Sequence, residues 1–138
     1  MSHTGARLLL GLVAFAAFAV AFSLGGAMLN VVWVKLLMMR PRPPVEHLQA
    51  VRSSSFPSGY ATQASAFWFS LVLALHTAGA PATITGVAAG LALLIVLVVA
   101  ASRVYLGVHY PSDVGAGGLL GTGWALYVSH SLRQREVQ

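Results

Sequence analysis

The sequence predicts an all-α integral membrane protein, a helical bundle of about four transmembrane helices in a single domain over residues 1–138. Composition is the first reason. Of the 138 residues, 57% are hydrophobic and 8% are charged, with a mean hydropathy of +0.78, whereas soluble domains carry charge on about a quarter of their residues. The second reason is that the apolar residues fall into four long runs. A soluble domain of this length could not bury that much apolar surface in one core.

Composition also excludes several kinds of site and partner. The chain has no cysteine, so disulfides and thiolate metal sites are excluded. Its net charge of +5 is compatible with nucleic-acid binding. However, five of the eight basic residues cluster in or beside the polar segments between the apolar runs. We therefore expect membrane lipids as partners and no nucleic acid.

The first apolar run covers residues 8–34 and contains no charged residue. At about 1.5 Å per helical residue it exceeds a hydrocarbon core of about 30 Å, so the helix should tilt or project. The alternative is a cleaved signal peptide with small residues at 23–27 as its exit. We expect a retained span, because the apolar character continues to Val34.

A basic loop rich in proline follows this first run. Lys35 is followed, after six residues, by Arg42-Pro43 within the segment 40–44. Its prolines cannot continue a helix, and they hold the chain extended. This limits the positions that the arginine side chains can reach. The alternative is a basic cluster that contacts anionic lipid head groups.

The second run, residues 61–80, is preceded by Pro57-Ser58-Gly59. Small and hydroxylated residues at a helix start leave backbone N–H groups available to an anion, although Ser58 could simply cap the helix. A tight turn that ends in a proline then leads to the third run, residues 82–101.

The most specific segment follows the third run and opens the fourth, residues 114–130. It contains Arg103, His109 and, four residues later, Asp113. A carboxylate at that spacing can accept a hydrogen bond from one imidazole nitrogen and leave the other as a nucleophile or base. Alternatively, the acid merely favours a helix start and the histidine lies at the membrane interface.

Alternating helix directions place these polar segments at one face of the membrane. The basic residues near the termini then lie at the other face. The first group contains Lys35, Arg40, Arg42, His47, Arg52, Arg103, His109 and Asp113, and the second contains Arg7, Arg133 and Arg135.

The three segments resemble the signature motifs of the type 2 phosphatidic acid phosphatase (PAP2) superfamily. That resemblance implies a phosphatase that needs no metal ion or cofactor and works through a phosphohistidine intermediate. By the same resemblance His109 attacks phosphorus and Asp113 orients it. The residues implied to bind the phosphoryl oxygens are Lys35, Arg42, Ser58, Gly59 and Arg103.

The chain departs from the second motif at Tyr60, where the family has a general-acid histidine. A phenol of pKa about 10 is a weaker proton donor near neutrality than an imidazole of about 6.5. We therefore expect Tyr60 to be a catalytic residue that donates a proton less efficiently than a histidine would. His47, in the same loop, is a candidate substitute for this proton donor, whereas His76 should lie too far from the site. Three explanations stay open: natural divergence, a substitution that traps a bound state, or adaptation to a diphosphate substrate.

Length is the second departure, because family members commonly have six transmembrane helices and this chain starts at the third. It is either a compact member or a truncated one. The small-residue pairs Gly86/Gly90 and Gly117/Gly121 permit close helix packing. We expect packing within one chain, with a homodimer as the alternative.

The sequence therefore predicts an enzyme that hydrolyses a lipid phosphate monoester or a polyprenyl diphosphate. The alternative is a silent relative that binds phospholipid without efficient turnover. A soluble haloperoxidase with similar motifs is disfavoured by the apolar runs. We expect an integral protein of a bacterial inner membrane with an extracytoplasmic site.

Overall fold

Four α-helices make up the bundle in the part of the chain that the structure describes. The computed structural model describes residues 3–46 and 48–136, with side chains from residue 13 onward except 15, 133, 135 and 136. The helices are α1 (His3–Met38), α2 (Gly59–Thr77), α3 (Ala82–Tyr105) and α4 (Pro111–Glu136). The predicted all-α fold class is confirmed. His47 lies outside the described residues.

Helices α1, α2 and α3 each end within two residues of a position with positive φ. Met39, with φ of 40°, adopts the left-handed region directly after α1, and the proline-rich loop follows. Gly79, with φ of 75°, makes the turn into α3. Gly107, with φ of 70°, turns the chain after α3 so that His109 returns towards the bundle. These turns bring the 39–58 and 106–110 loops to one end of the molecule.

Helix α2 lies at the centre and packs against α1, α3 and, most extensively, α4. Glycine makes the α2–α4 approach possible. A Cβ atom at Gly121 would lie 2.2 Å from the carbonyl oxygen of Thr62, and one at Gly117 would lie 2.6 Å from that of Ser58. The Gly117/Gly121 pair therefore packs within the chain, as expected. A Cβ at Gly90 would meet nothing within 4 Å, so that face of α3 is open.

Within the described residues, two helical segments are long and apolar enough to cross a membrane, Ala16–Met38 and Ala82–Tyr105. Both expose many large apolar side chains, as lipid-facing helices do. Helices α2 and α4 contain more serine, threonine and glycine, which face one another across their interface. Whether α2 and α4 also cross the membrane stays a prediction.

Candidate active site

A cleft of about 410 Å³ opens where α1, α2 and the two loops meet. One side is polar and contains the three predicted phosphate-binding cations and the predicted nucleophile. The other side is apolar and is formed largely by α1. The lining residues that matter here are Met28, Val31, Val32, Lys35, Arg42, Tyr60, Arg103 and His109. The cleft therefore combines an anion-binding end with an apolar wall.

His109 is almost completely buried, with 6% of its surface exposed, yet it lines this cleft. Its Nδ1 lies 3.6 Å from Oδ2 of Asp113 and has no hydrogen-bond partner in the described structure. That distance is longer than a hydrogen bond. Catalytic contacts are often long without substrate and shorten in the complex. With Nδ1 facing the carboxylate, Nε2 is the nitrogen left for chemistry.

Asp113 is completely buried and is held by three donors from three different segments. Arg40 Nη1 donates to Oδ1 at 2.7 Å, and the Tyr110 backbone N–H donates to Oδ2 at 2.9 Å. The Ser55 hydroxyl also donates to Oδ2. A buried carboxylate stays charged only with such partners. The geometry therefore keeps a fixed negative charge beside His109.

Two cations are anchored by backbone oxygens of the 53–54 segment. Lys35 Nζ donates to the Ser54 carbonyl oxygen. Arg42 Nε donates to the Ser53 carbonyl oxygen at 2.9 Å, and its Nη1 donates to the Val108 carbonyl oxygen at 2.5 Å. The bond to Val108 places the guanidinium next to the residue that precedes His109.

Arg103 is positioned from the other side by Tyr60 and Gln49. Its Cζ lies 4.4 Å from the centroid of the Tyr60 ring, a cation–π contact. Its Nη1 donates to Gln49 Oε1 at 3.2 Å. Tyr60 itself is 56% exposed. In this arrangement the tyrosine presents its ring face to Arg103.

Ser58 and Gly59 open α2 at the edge of the cleft. Ser58 is fully buried and is the N-cap residue, since its hydroxyl accepts from the Ala61 N–H at 3.5 Å. Its own N–H donates to the Asp113 carbonyl oxygen at 3.0 Å. Gly59, in contrast, lines the cleft. The Ser58 side chain is therefore engaged within the fold, while Gly59 offers its backbone.

The charges around His109 favour its neutral form. Burial lowers the pKa of His109 below its usual range, and the cations of Arg42 and Lys35 lower it further, while Asp113 opposes them. A neutral imidazole has a lone pair at one nitrogen and can act as a nucleophile. The cations that would bind an anion therefore also keep the attacking ring unprotonated.

The structure brings together all eight residues predicted for the site, with Ser58 and Asp113 just behind the cleft surface. His76 lies in the last turn of α2, at the opposite end from Gly59, as expected. Two further residues were not assigned from the sequence, the Asp113 partners Arg40 and Ser55. The signal available for Arg40 was electrostatic, because a buried carboxylate needs a cation.

Comparisons with known proteins agree with this geometry. A model of the PAP2 superfamily matches residues 15–136. The chain is 37% identical over 120 residues to the decaprenylphosphoryl-5-phosphoribose phosphatase of Mycobacterium tuberculosis, in strains CDC 1551 / Oshkosh and ATCC 25618 / H37Rv. That match covers 83% of this chain and 54% of the relative, so the chain spans about half the length of the curated relatives it matches.

The fold is also similar to a crystal structure. This neighbour is a transmembrane PAP2-type phosphatidylglycerolphosphate phosphatase from Bacillus subtilis. The TM-score is 0.74 at 25% sequence identity, and the alignment covers 94% of this chain and 70% of that one.

Proposed function

The chain belongs to the PAP2 superfamily, and from that premise we propose that it hydrolyses a lipid phosphate monoester or a polyprenyl diphosphate through a phosphohistidine at His109. The observation that carries the proposal is a buried imidazole, its pKa lowered by burial and nearby cations, that lines a cleft beside three cations and faces the Asp113 carboxylate. Lipid phosphate hydrolysis also accords with the names of the relatives.

In the first step Nε2 of His109 attacks phosphorus while the bond from phosphorus to the leaving oxygen breaks. Negative charge on the phosphoryl oxygens is stabilised by Lys35, Arg42 and Arg103, with the Gly59 backbone at the start of α2. Positive charge that develops on the imidazole is stabilised by Asp113. The leaving alcohol or phosphate needs a proton, for which Tyr60 is the candidate donor.

In the second step water attacks the phosphohistidine, inorganic phosphate leaves and the neutral imidazole is restored. The attacking water must lose a proton, so the same general acid–base group is needed twice. Such help is typically worth about 10²–10⁴-fold in rate. A phenol there predicts slow turnover of esters, with less effect on diphosphates, because a departing phosphate needs less protonation than an alkoxide.

The apolar wall of the cleft, formed by Met28, Val31 and Val32 of α1, supports a lipid substrate. We place the protein in a bacterial inner membrane with an extracytoplasmic site. When the phosphate-binding residues are left out of the count, the remaining basic residues near the termini, Arg7, Arg133 and Arg135, favour cytoplasmic termini. We also propose that all three motifs lie in one PAP2-like transmembrane domain over residues 1–138.

The direct test is phosphate release by the purified protein in an uncharged detergent with a metal chelator present. Short-chain phosphatidate and a prenyl diphosphate are the two substrates, and His109→Ala is the control. We expect release by the unsubstituted chain and none by the variant, together with a phosphoryl adduct that is labile in acid and stable in alkali.

The exposure of Tyr60 and its stacking on Arg103 keep the silent relative as a second candidate. Binding of either lipid without phosphate release would favour that candidate. Release that persists in His109→Ala would contradict the phosphohistidine mechanism itself.

A further inference from the structure

The Nδ1 atom of His109 is buried without a hydrogen-bond partner in the part of the chain that the structure describes. It faces Oδ2 of Asp113, but the two atoms are 3.6 Å apart. A buried polar atom that makes no hydrogen bond is costly, and such atoms are rare in folded proteins. Some feature of the site therefore keeps the imidazole and the carboxylate from bonding.

The oxygen that faces His109 has no free lone pair. A carboxylate oxygen offers about two lone pairs to donors. On Oδ2 of Asp113, one accepts from the Ser55 hydroxyl and the other accepts from the Tyr110 backbone N–H at 2.9 Å. The other carboxylate oxygen, Oδ1, accepts from Arg40 at 2.7 Å. The imidazole is thus excluded from Oδ2 because two other donors already saturate this oxygen.

Of these two donors, only the Ser55 hydroxyl can turn away. The Tyr110 N–H belongs to the backbone at the start of α4, where the Tyr110 carbonyl oxygen accepts from the Asp113 N–H at 2.9 Å. Ser55 is fully buried, and its own N–H donates to the Arg40 carbonyl oxygen at 2.9 Å. Its hydroxyl, in contrast, rotates about a single bond. The Ser55 hydroxyl therefore decides whether Oδ2 is open to His109.

Ser55 lies beside both members of the His109–Asp113 pair. Its backbone raises the pKa of His109, as a carbonyl acceptor next to the ring does. A substitution of the Ser55 side chain retains this carbonyl. It also retains the charged or titratable groups around the ring, which are Lys35, Arg40, Arg42, Tyr60, Arg103, Tyr110 and Asp113. A change in the titration of His109 would therefore report on the hydroxyl alone.

The competition for Oδ2 depends on the charge of the ring. The serine hydroxyl and a neutral imidazole are both uncharged donors, and the hydroxyl occupies Oδ2 in the structure. An imidazolium adds the attraction between opposite charges and is the stronger donor. Interactions that strengthen as the reaction proceeds lower the barrier, whereas those of constant strength do not.

We propose that Ser55 is a positioning residue whose hydroxyl occupies Oδ2 of Asp113 while His109 is neutral and leaves it when the ring becomes positively charged. This rests on the proposed function, in which attack on phosphorus places positive charge on the ring. Asp113 then stabilises the charged ring more than the neutral nucleophile. The serine thereby stops the carboxylate from holding a proton on His109 before the substrate binds.

The first test titrates His109 by NMR in the substrate-free protein, in an uncharged detergent and with histidine labelled with nitrogen-15. The chain has five histidines, and the signal that is lost in His109→Gln identifies the ring. We expect Ser55→Ala to raise the midpoint of this titration by about one pH unit, the effect of one charge-assisted hydrogen bond. The midpoint rises because a carboxylate oxygen with a free lone pair stabilises the imidazolium.

Two variants separate this effect from a merely structural one. Ser55→Cys keeps nearly the same side-chain volume but replaces the hydroxyl by a weak donor, so it should raise the midpoint as Ser55→Ala does. Ser54→Ala removes the neighbouring hydroxyl, which bonds the carbonyl oxygens of Arg40 and Phe56, and should leave the midpoint unchanged. A midpoint that stays unchanged in both Ser55 variants, with or without a loss of thermal stability, overturns the proposal.

A second measurement needs no substitution. In the unsubstituted chain, a proton on Nδ1 of His109 that is shifted far downfield would indicate a strong hydrogen bond to Asp113. We expect this signal only when the ring is charged. The same signal from the neutral ring would show that the pair is already bonded, and it would overturn the proposal even if the Ser55 variants failed to fold.

These measurements do not depend on turnover. If the midpoint rises in the Ser55 variants but the unsubstituted chain releases no phosphate, the positioning role stands and the phosphatase assignment fails. If the chain releases phosphate but the midpoint does not move, the phosphatase assignment stands and the positioning role fails. In an active chain, the acid limb of kcat/KM should move with the midpoint, towards higher pH, in Ser55→Ala.

Discussion

At the scale of the residue, the site depends on how Asp113 is kept charged while fully buried. Its partners come from three segments: Arg40 after α1, Ser55 before α2 and the Tyr110 backbone before α4. Arg40 also stacks over the Tyr110 ring, with its Cζ 4.3 Å from the centroid. One arginine therefore fixes both the carboxylate and the segment that carries His109.

The first prediction concerns Arg40→Gln. The change removes the cation from a buried carboxylate, and hydrogen bonds to charged groups are worth about 1.5–3 kcal/mol. We expect a loss of unfolding free energy in that range and a lower kcat, measured by thermal unfolding in detergent and by phosphate release. Arg40→Lys should recover part of both.

Arg52→Gln is the stability control for this variant, because it removes a neighbouring cation that does not contact Asp113. Its unfolding temperature should match that of the unsubstituted chain. If Arg40→Gln unfolds at that same temperature too, Arg40 does not hold the carboxylate.

The second prediction concerns pH. Burial and the cations of Arg42 and Lys35 lower the pKa of His109, and Asp113 only partly offsets them. In the proposed mechanism the neutral ring is the nucleophile, so kcat/KM should fall on the acid side below pH 6.5, as the ring gains its proton. Folding stability has the same sign: it is complete above the unfolded pKa of about 6.5 and decreases as pH falls below it, because the unfolded histidine binds the proton more tightly.

Removal of one cation provides the comparison for this pH dependence. In Arg42→Gln the acid limb of kcat/KM should move towards higher pH, whatever the loss in absolute rate. The substrate phosphate also titrates near pH 6, so both proteins are measured with the same lipid. A limb at the same pH in both proteins would show that Arg42 does not set the protonation of His109.

The third prediction concerns Tyr60. Its ring stacks on Arg103, and phenols in general donate protons less readily near neutrality than imidazoles do. Tyr60→His should raise turnover of a phosphate ester, within the 10²–10⁴-fold range of general acid–base help, and should change diphosphate turnover little. Rates on both substrates are the measurement, and equal gains would rule out adaptation to a diphosphate.

Tyr60→Phe separates the ring from the hydroxyl. This variant keeps the aromatic face for Arg103 and removes the proton. A drop in ester turnover would show that Tyr60 donates the proton. An unchanged rate would show that Tyr60 acts only through the contact of its ring with Arg103.

At the scale of the element, the approach of α4 to α2 is what positions the site. The N–H of Ser58, at the start of α2, donates to the carbonyl oxygen of Asp113, in the first turn of α4. Gly117 and Gly121 of α4 permit that distance, because a Cβ at either position would collide with the carbonyl oxygen of Ser58 or Thr62. The Gly117/Gly121 spacing therefore positions the candidate site as well as allowing α2 and α4 to pack closely.

The fourth prediction compares two glycine substitutions. Gly121→Ala places a methyl group 2.2 Å from the Thr62 carbonyl oxygen and 2.9 Å from the Ala66 nitrogen. Backbone atoms cannot move aside cheaply, so unfolding free energy should fall by about 1–3 kcal/mol. Gly90→Ala, with open space around it, should be neutral or up to about 1 kcal/mol more stable. Equal stabilities in thermal unfolding would contradict the close α2–α4 packing.

At the scale of the whole molecule, the remaining question is which side of the membrane the cleft faces. The fifth prediction uses the absence of native cysteine. Glu46→Cys introduces a thiol at an exposed position in the loop at the site end of the bundle. An extracytoplasmic site predicts labelling of intact cells by a membrane-impermeant maleimide. Labelling only after the cells are opened would place the site in the cytoplasm.

By itself the sequence determined the membrane class, the helix order and the family, and it selected residues that the structure brings together at one cleft. These follow from composition and from local spacing, such as the three residues between His109 and Asp113. The tertiary structure alone decided which cation pairs with Asp113, because Arg40 lies 73 residues away along the chain. It also decided that Tyr60 stacks on Arg103 and that Ser55 bonds the Asp113 oxygen that faces His109. Such contacts depend on where loops converge when helices pack, and no local pattern encodes that convergence.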